Sequence, residues 1–262
     1  MTTPITVAAT RIQTPTNLDT LEYTKINTRW GLMYHIKEDK DSLISILIQK
    51  GVYQNYVIEL AKKLTRPGGW VLDIGANIGA HSIPIAKTPH ISGVWAFEAC
   101  PDNVCCLTKN MTKHHLEKKL KIVNVGLSDN RQTLVFNQIK NKRGASSFDA
   151  TGLDPKTIHQ VNIQCQPLDD WLESWKNQDQ LRIDFIKIDV QNYEYPVLTG
   201  AKRVLSHYQP AVLVECPARD QYELVEYQKI TTFFRSIGYR EKQRYNKDCL
   251  FVPNLLIRTN KV

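Results

Sequence analysis

Trp70-Val71-Leu72-Asp73-Ile74-Gly75-Ala76-Asn77-Ile78-Gly79-Ala80-His81-Ser82 decides how this chain reads. Val71, Leu72 and Ile74 form the apolar run of a strand buried on both faces. Gly75 and Gly79 can take backbone conformations that a Cβ forbids. Ile78, Ile83, Ile85 and Ala86 supply the apolar side of a helix, with Pro84 early enough to fit its first turn. A strand, a glycine turn and a helix start in that order make a ligand site at the strand's carboxyl end.

The loop argues against a dinucleotide. That fingerprint wants a second glycine where backbone approaches pyrophosphate, and Asn77 stands there. Asp73 adds a carboxylate that repels phosphate and suits an ammonium. S-adenosylmethionine offers an ammonium, a carboxylate and a ribose diol, and becomes the expected ligand. Asp73, Gly75, Asn77, Gly79 and Ser82 are its candidate contacts.

Strand and helix alternate after this anchor. Val94–Phe97 is a second strand ending at Glu98, 23 residues beyond Gly75, close to the spacing of about 20 at which an acidic side chain reads a ribose diol. Pro101-Asp102-Asn103 starts a helix with Asp102 or Asn103 near its N-cap, and Asn103 joins the candidate contacts. Lys121–Val125 is the third strand. The loop after it would hold adenine through backbone and the Ser128 hydroxyl. Residues 133–166 leave the pattern, with strand-like Thr133–Asn137 and Val161–Gln166. Asn141–Ser147 between them is a polar candidate lid or substrate loop. Leu168–Leu172 starts a helix capped by Asp169. Ile183–Ile188 is the fourth strand, with Asp189 at its carboxyl edge. Pro196–Leu205 reads as one helix, Ala211–Val214 as the fifth strand ending at Glu215, and Tyr222–Ile237 as a long helix. Arg240–Tyr245 and Leu250–Ile257 close the chain as an antiparallel pair.

The expectation is therefore an α/β fold with a doubly wound, mostly parallel seven-stranded sheet and an antiparallel C-terminal hairpin. Residues 1–40, with strands at Ile5–Ala9 and Trp30–Ile36, form a β-rich cap. Residues 41–262 form the main domain, with an insertion at about 133–166. Helices begin at Asp41-Ser42, ending near Gly51, and at Gln54.

The length of 262 residues fits one substantial domain. Lys and Arg exceed Asp and Glu by 8, and the pI is about 9.1, which favours anionic partners. Most basic residues are scattered, so a nucleic-acid partner is less expected than a small molecule or glycan. The six cysteines contain no Cys-x-x-Cys pair and suggest neither a disulfide framework nor a zinc site. Reduced thiols, no charged-then-apolar leader and no apolar run of about 18 residues lead us to expect a soluble cytoplasmic protein without membrane segments.

Further stretches fix a resemblance. Phe97–Asn103, Gly126–Asp129, Gly144–Ser147, Asp184–Val190 and Val214-Glu215 join Val71–Gly79 in an order similar to the FkbM-type methyltransferases, a branch of the class I S-adenosylmethionine-dependent fold. The match covers about residues 41 to 217. It implies a seven-stranded Rossmann-like sheet and methyl transfer, most often to an oxygen of a sugar, polyketide or related small molecule. Two departures stand out. Ala99 replaces a usual Pro, and Gln191-Asn192 replaces a usual Glu-Gly ahead of Glu194. The second removes a carboxylate near the reaction centre and points to a shifted substrate or a weakened, cofactor-binding protein.

An alcohol needs a base or a metal to help remove its proton. Asp189 is the leading candidate to position the acceptor and take that proton, followed by Glu194 and Glu215. Asp189 and Glu215 close neighbouring strands and could share a divalent metal. His81 reads as a packing residue and Lys187 as a paired structural cation. Ribose methylation of RNA is the alternative suggested by charge. However, residues 189–193 lack the Asn/Asp-Pro-Pro-aromatic loop of base-amino methylation, and no Lys-Asp-Lys-Glu set of ribose methylation is evident.

Overall fold

Apolar runs at 71–74, 94–97, 183–188 and 211–214, broken only by Asp73, Asp184 and Lys187, need cover on both faces. A computed structural model, describing residues 21–151, 153–173 and 181–254, places them side by side. The chain begins with β1 (Tyr23–Thr28), β2 (Gly31–Ile36), α1 (Ser42–Lys50) and α2 (Asn55–Leu64). Then come β3 (Trp70–Ile74), α3 (Ser82–Ala86), β4 (Gly93–Phe97), α4 (Pro101–Lys113) and β5 (Leu120–Val123). A departure follows through β6 (Gly126–Leu127), β7 (Gln132–Ile139) and β8 (Ile158–Gln166). Alternation resumes with α5 (Leu168–Glu173), β9 (Ile183–Ile188), α6 (Glu194–Thr199), α7 (Lys202–Tyr208) and β10 (Ala211–Glu215). The last elements are α8 (Gln221–Ser236), β11 (Tyr239–Tyr245) and β12 (Asp248–Pro253).

The main sheet has seven strands in the order β11-β12-β10-β9-β3-β4-β5. Its five inner and right-hand members are parallel, and β12 and β11 add antiparallel at the far edge. The expected doubly wound sheet with a closing hairpin is the architecture found. From β3 the chain builds outward through β4 and β5, then returns to build β9 and β10 on the other side. The order reverses between β3 and β9, and a crevice at their carboxyl ends is where such sheets bind ligands.

Side-chain alternation assigns each face its own core. Val71 and Phe185 pack with Ile58, Ala61 and Ile83 on one face, and Leu72, Ile74, Ile186 and Ile188 pack with Leu198 and Phe234 on the other. Asp73 and Lys187 fall on the first face and are direct cross-strand neighbours. Both are buried, with Lys187 Nζ 3.1 Å from Asp73 Oδ1.

Several local expectations change. The partner of β2 is β1, whose only buried side chain is Ile26, too little apolar pattern to read. The expected strand at Ile5–Ala9 and the end of the Leu250–Ile257 strand lie outside the described residues. Asp41 does cap α1, accepting from Leu43 N at 2.7 Å and Ile44 N at 3.2 Å. Cys100, not Asp102 or Asn103, occupies the cap position of α4, with Pro101 first in the helix. Asp169 caps α7 rather than its own helix, accepting from Arg203 N at 2.9 Å and Val204 N at 2.8 Å. The helix expected over Pro196–Leu205 is two, broken at Gly200, where a Cβ would lie 2.0 Å from Ser128 O. Thr133–Asn137 and Val161–Gln166 lie within β7 and β8, which pair antiparallel beside β6 in a separate three-stranded sheet. The six cysteines are free, and all but Cys105 are buried. Among the described residues no helix is long and apolar enough to cross a membrane.

Replacing Lys187 with Met leaves the Asp73 carboxylate buried without its counter-ion. Breaking a buried pair in this way costs about 3–5 kcal/mol. Urea denaturation should show that loss for Lys187→Met and a partial recovery when Asp73→Asn is added. A loss unrelieved by the second change would mean that the pair is not what the strands depend on.

Candidate active site

Gly75 follows β3 with φ +78°, and a Cβ there would lie 1.9 Å from Asp189 O. Only glycine lets the ends of β3 and β9 touch. Asn77 is left-handed at φ +52°, a conformation Asn tolerates better than most residues. Gly79, at φ +91°, packs against Leu107. Turning this way, the loop sends its N–H groups toward β4. Gly75 N and Ala76 N donate to Phe97 O at 3.0 Å each, and Asn77 N donates to Glu98 Oε2 at 2.7 Å.

A cavity of about 490 Å³ opens over the loop, within the range that holds small-molecule ligands. Gly75, Asn77, Glu98, Asn103 and Asp189 all line it. Glu98, buried at the β4 end, also accepts from Cys100 N at 2.9 Å and Asn103 Nδ2 at 3.5 Å. Burial raises its pKa, and those donors oppose the rise. Asn103 Oδ1 is buried without a hydrogen-bond partner among the described residues.

Asp73, Ser82 and Gly79 sit beneath the loop and do not line the cavity. Asp73, expected to meet a ligand's ammonium, thus faces Lys187 rather than the cavity. Its carboxylate is consumed by Lys187 and by Ser82 Oγ, which donates at 2.5 Å. The contact with Lys187 is Coulombic, since Asp73 Oδ1 has no aligned hydrogen bond. Lys187 Nζ instead donates to Gly75 O at 2.8 Å and Ile74 O at 3.4 Å. Ser128, expected beside adenine, does not line the cavity either. It is fully buried, with Oγ 3.0 Å from each of Asp129 Oδ1, Gln132 Nε2 and Tyr193 OH. Val125, Leu127, Phe136 and Phe148 line that part of the wall instead.

Residues 141–147 close over the cavity. Lys40 N donates to Asn141 O at 2.9 Å, Arg143 N to Asp39 Oδ1 at 3.2 Å and Gly144 N to Asp41 Oδ2 at 2.6 Å. Arg143 Nε pairs with Asp102 at 3.1 Å, and Ser147 Oγ donates to Gln191 O. This strap joins the β2–α1 corner, α4 and the loop after β9.

Behind Asp189 stand Glu194 and Glu215, their carboxylate oxygens all within 4.8 Å of one another. Neither lines the cavity. Gln191 Nε2 donates to Asp189 Oδ1 at 2.6 Å and to Glu215 Oε2 at 2.9 Å, Lys247 Nζ pairs with Glu215, and Val190 N donates to Glu194 Oε1 at 2.9 Å. Burial works against ionising Asp189, but hydrogen bonding to Glu215 and the charges of Lys187 and Lys247 hold it below the usual carboxylate range. Burial and the Asp189 charge push Glu215 up to about 10, and burial raises Glu194 to about 7. Asp189 and Glu215 thus share one proton at neutral pH. Three carboxylates are a hard-cation donor set, yet Gln191 and Lys247 already occupy oxygens of Asp189 and Glu215, and Val190 N one of Glu194. The cluster suits proton sharing better than a resident metal.

The family model of the methyltransferase FkbM domain matches residues 73–241. The chain belongs to the FkbM methyltransferase family. A methyltransferase of Sordaria araneosa, sdnD, is 24% identical over 176 residues, 58% of this chain and 67% of the relative. The crystal structure of methyltransferase FkbM from Methylobacillus flagellatus KT superposes with a TM-score of 0.50 at 16% identity. That likeness of fold covers 82% of this chain and 56% of the other, so the chain spans little more than half its length.

Asn192, where the resemblance implies Gly, keeps a left-handed φ of +69°, and Gln191 precedes it at φ +56°. Reading the sequence could flag the substitution but not its effect. Gln191 puts an amide donor between two carboxyl groups where a Glu would add a further negative charge.

Glu194 yields a pH prediction. Its folded pKa lies above its ordinary value of 4.5, so the stability it contributes is full below about pH 4.5 and is lost as pH rises through about 7. Glu194→Gln removes that loss while keeping an acceptor for Val190 N. Urea denaturation at pH 5 and pH 8 should show a smaller drop for the variant than for the parent. An equal drop would remove Glu194 from the titrating cluster.

Proposed function

We propose that this chain transfers a methyl group from S-adenosylmethionine to a hydroxyl oxygen of a sugar, glycan or other small acceptor. The observation that carries this reading is one cavity with Glu98 and Asn103 at the β4 end, Gly75 in the middle and Asp189 at the β9 end. Glu98 and the unpartnered Asn103 Oδ1 are acceptors suited to a ribose diol. S-adenosylmethionine supplies an already activated methyl on a sulfonium, so alignment of the acceptor oxygen is the main demand on the protein. Asp189, kept ionised by Glu215, Gln191 and the two lysines, would accept the hydroxyl proton as the new O–CH₃ bond forms and the S–CH₃ bond breaks, with S-adenosylhomocysteine as the leaving group. The strap over residues 141–147 keeps water from the cavity.

Calorimetry with S-adenosylmethionine tests the reading. Micromolar binding is expected, and Glu98→Ala should weaken it roughly 10- to 100-fold through loss of charged hydrogen bonds. Asp189→Asn should lower turnover about 10²- to 10⁴-fold with little change in cofactor affinity. Normal turnover in that variant would remove Asp189 from the chemistry.

The excess of 8 positive charges supports a second reading, methylation of RNA ribose. Phosphate contacts make affinity fall steeply with salt. A titration of short RNAs from 50 to 200 mM salt separates the readings, and weak, salt-insensitive binding favours the small acceptor.

A further inference from the structure

His81 stands where the glycine loop enters α3. It lines the cavity, is 4% exposed and lies against the Tyr53 ring at 5.5 Å between centroids. The ring is hydrogen-bonded to the Tyr53 backbone, while its Nε2 is buried with no partner among the described residues. Burial, then the charge of Lys187, lower its pKa to about 4, so the imidazole is neutral at physiological pH and Nε2 carries a lone pair.

A buried acceptor without a donor is destabilising, and a ligand that brings an N–H removes the cost. Apart from Asp189, which faces the methyl acceptor in the reading above, the other acceptors around this point are already used. Asp73 serves Lys187 and Ser82, and Gly75 O and Ile74 O serve Lys187 Nζ. Lys187 Nζ is turned to Gly75 O, Ile74 O and the Asp73 carboxylate, and no hydrogen bond joins it to His81 among the described residues. The ribose lies at the other end, by Glu98.

We propose that His81 Nε2, in place of Asp73, accepts an N–H from the α-ammonium on the amino-acid half of S-adenosylmethionine. The assignment rests on the reading of the cavity as the cofactor's. Asp189 contributes its charge nearby, and Tyr53 holds the ring's orientation.

Two ligands that share a nucleoside test this without any methyl acceptor. S-adenosylhomocysteine carries the amino-acid half, and 5′-deoxy-5′-methylthioadenosine lacks it. Calorimetry on the whole chain should show that His81→Phe weakens the first roughly 10- to 100-fold and the second less than about twofold. His81→Gln, with a side-chain carbonyl to accept the N–H, should recover most of the loss. Equal weakening of both ligands would assign His81 to packing alone and overturn the proposal, as would unchanged affinity for S-adenosylhomocysteine. If the parent chain bound neither ligand, the cofactor reading itself would fall, and with it the role of His81.

Discussion

Two opposite charges on neighbouring strands hold this molecule's working end together. Asp73 on β3 and Lys187 on β9 are register partners, both buried, at the junction where the sheet reverses its strand order. Neither is tolerable there alone. Lys187 also reaches past Asp73 to Ile74 O and Gly75 O, so one ammonium joins the last residues of β3 to β9. Gly75 then turns against Asp189 O with no room for a side chain. From one ion pair follow the direction of the glycine loop and the nearness of Asp189 to it.

Everything else in the site is hung from those two strand ends. The loop's N–H groups fix Glu98 on β4, and the cavity runs from there to Asp189. Its cover comes from two segments remote in sequence, the β2–α1 corner and the strap after β7, joined through Asp39, Asp41, Arg143 and Gly144. At the far end, Gln191 spreads one amide across the Asp189 and Glu215 carboxylates. A site assembled from so many small contacts, each held by its neighbours, is pre-organised.

Much of the fold was legible because the physics was local. Uninterrupted apolar runs mark the buried parallel strands, a glycine after such a run marks the turn, and the distance to Glu98 marks the next strand end. Asp41 and Gly51 punctuate α1 as capping chemistry dictates. What escaped was set by partners far away in sequence. Asp73 carries the same residue type whether it faces a ligand or Lys187, and only the register of β3 on β9 tells them apart. Asp169 looks like the cap of the helix it starts, yet the N–H groups of α7 are nearer. Ser128 could not be seen to be enclosed by Gln132 and Tyr193, and nothing in the sequence around His81 signals a lone pair without a donor.

A crystal structure of the chain with S-adenosylhomocysteine tests the central claim most directly. The account predicts the ribose hydroxyls on the Glu98 carboxylate, the amino-acid half over Gly75, and the Asp73–Lys187 pair intact beneath it. A ligand ammonium on Asp73 with Lys187 displaced, or a ligand outside the cavity, would contradict it.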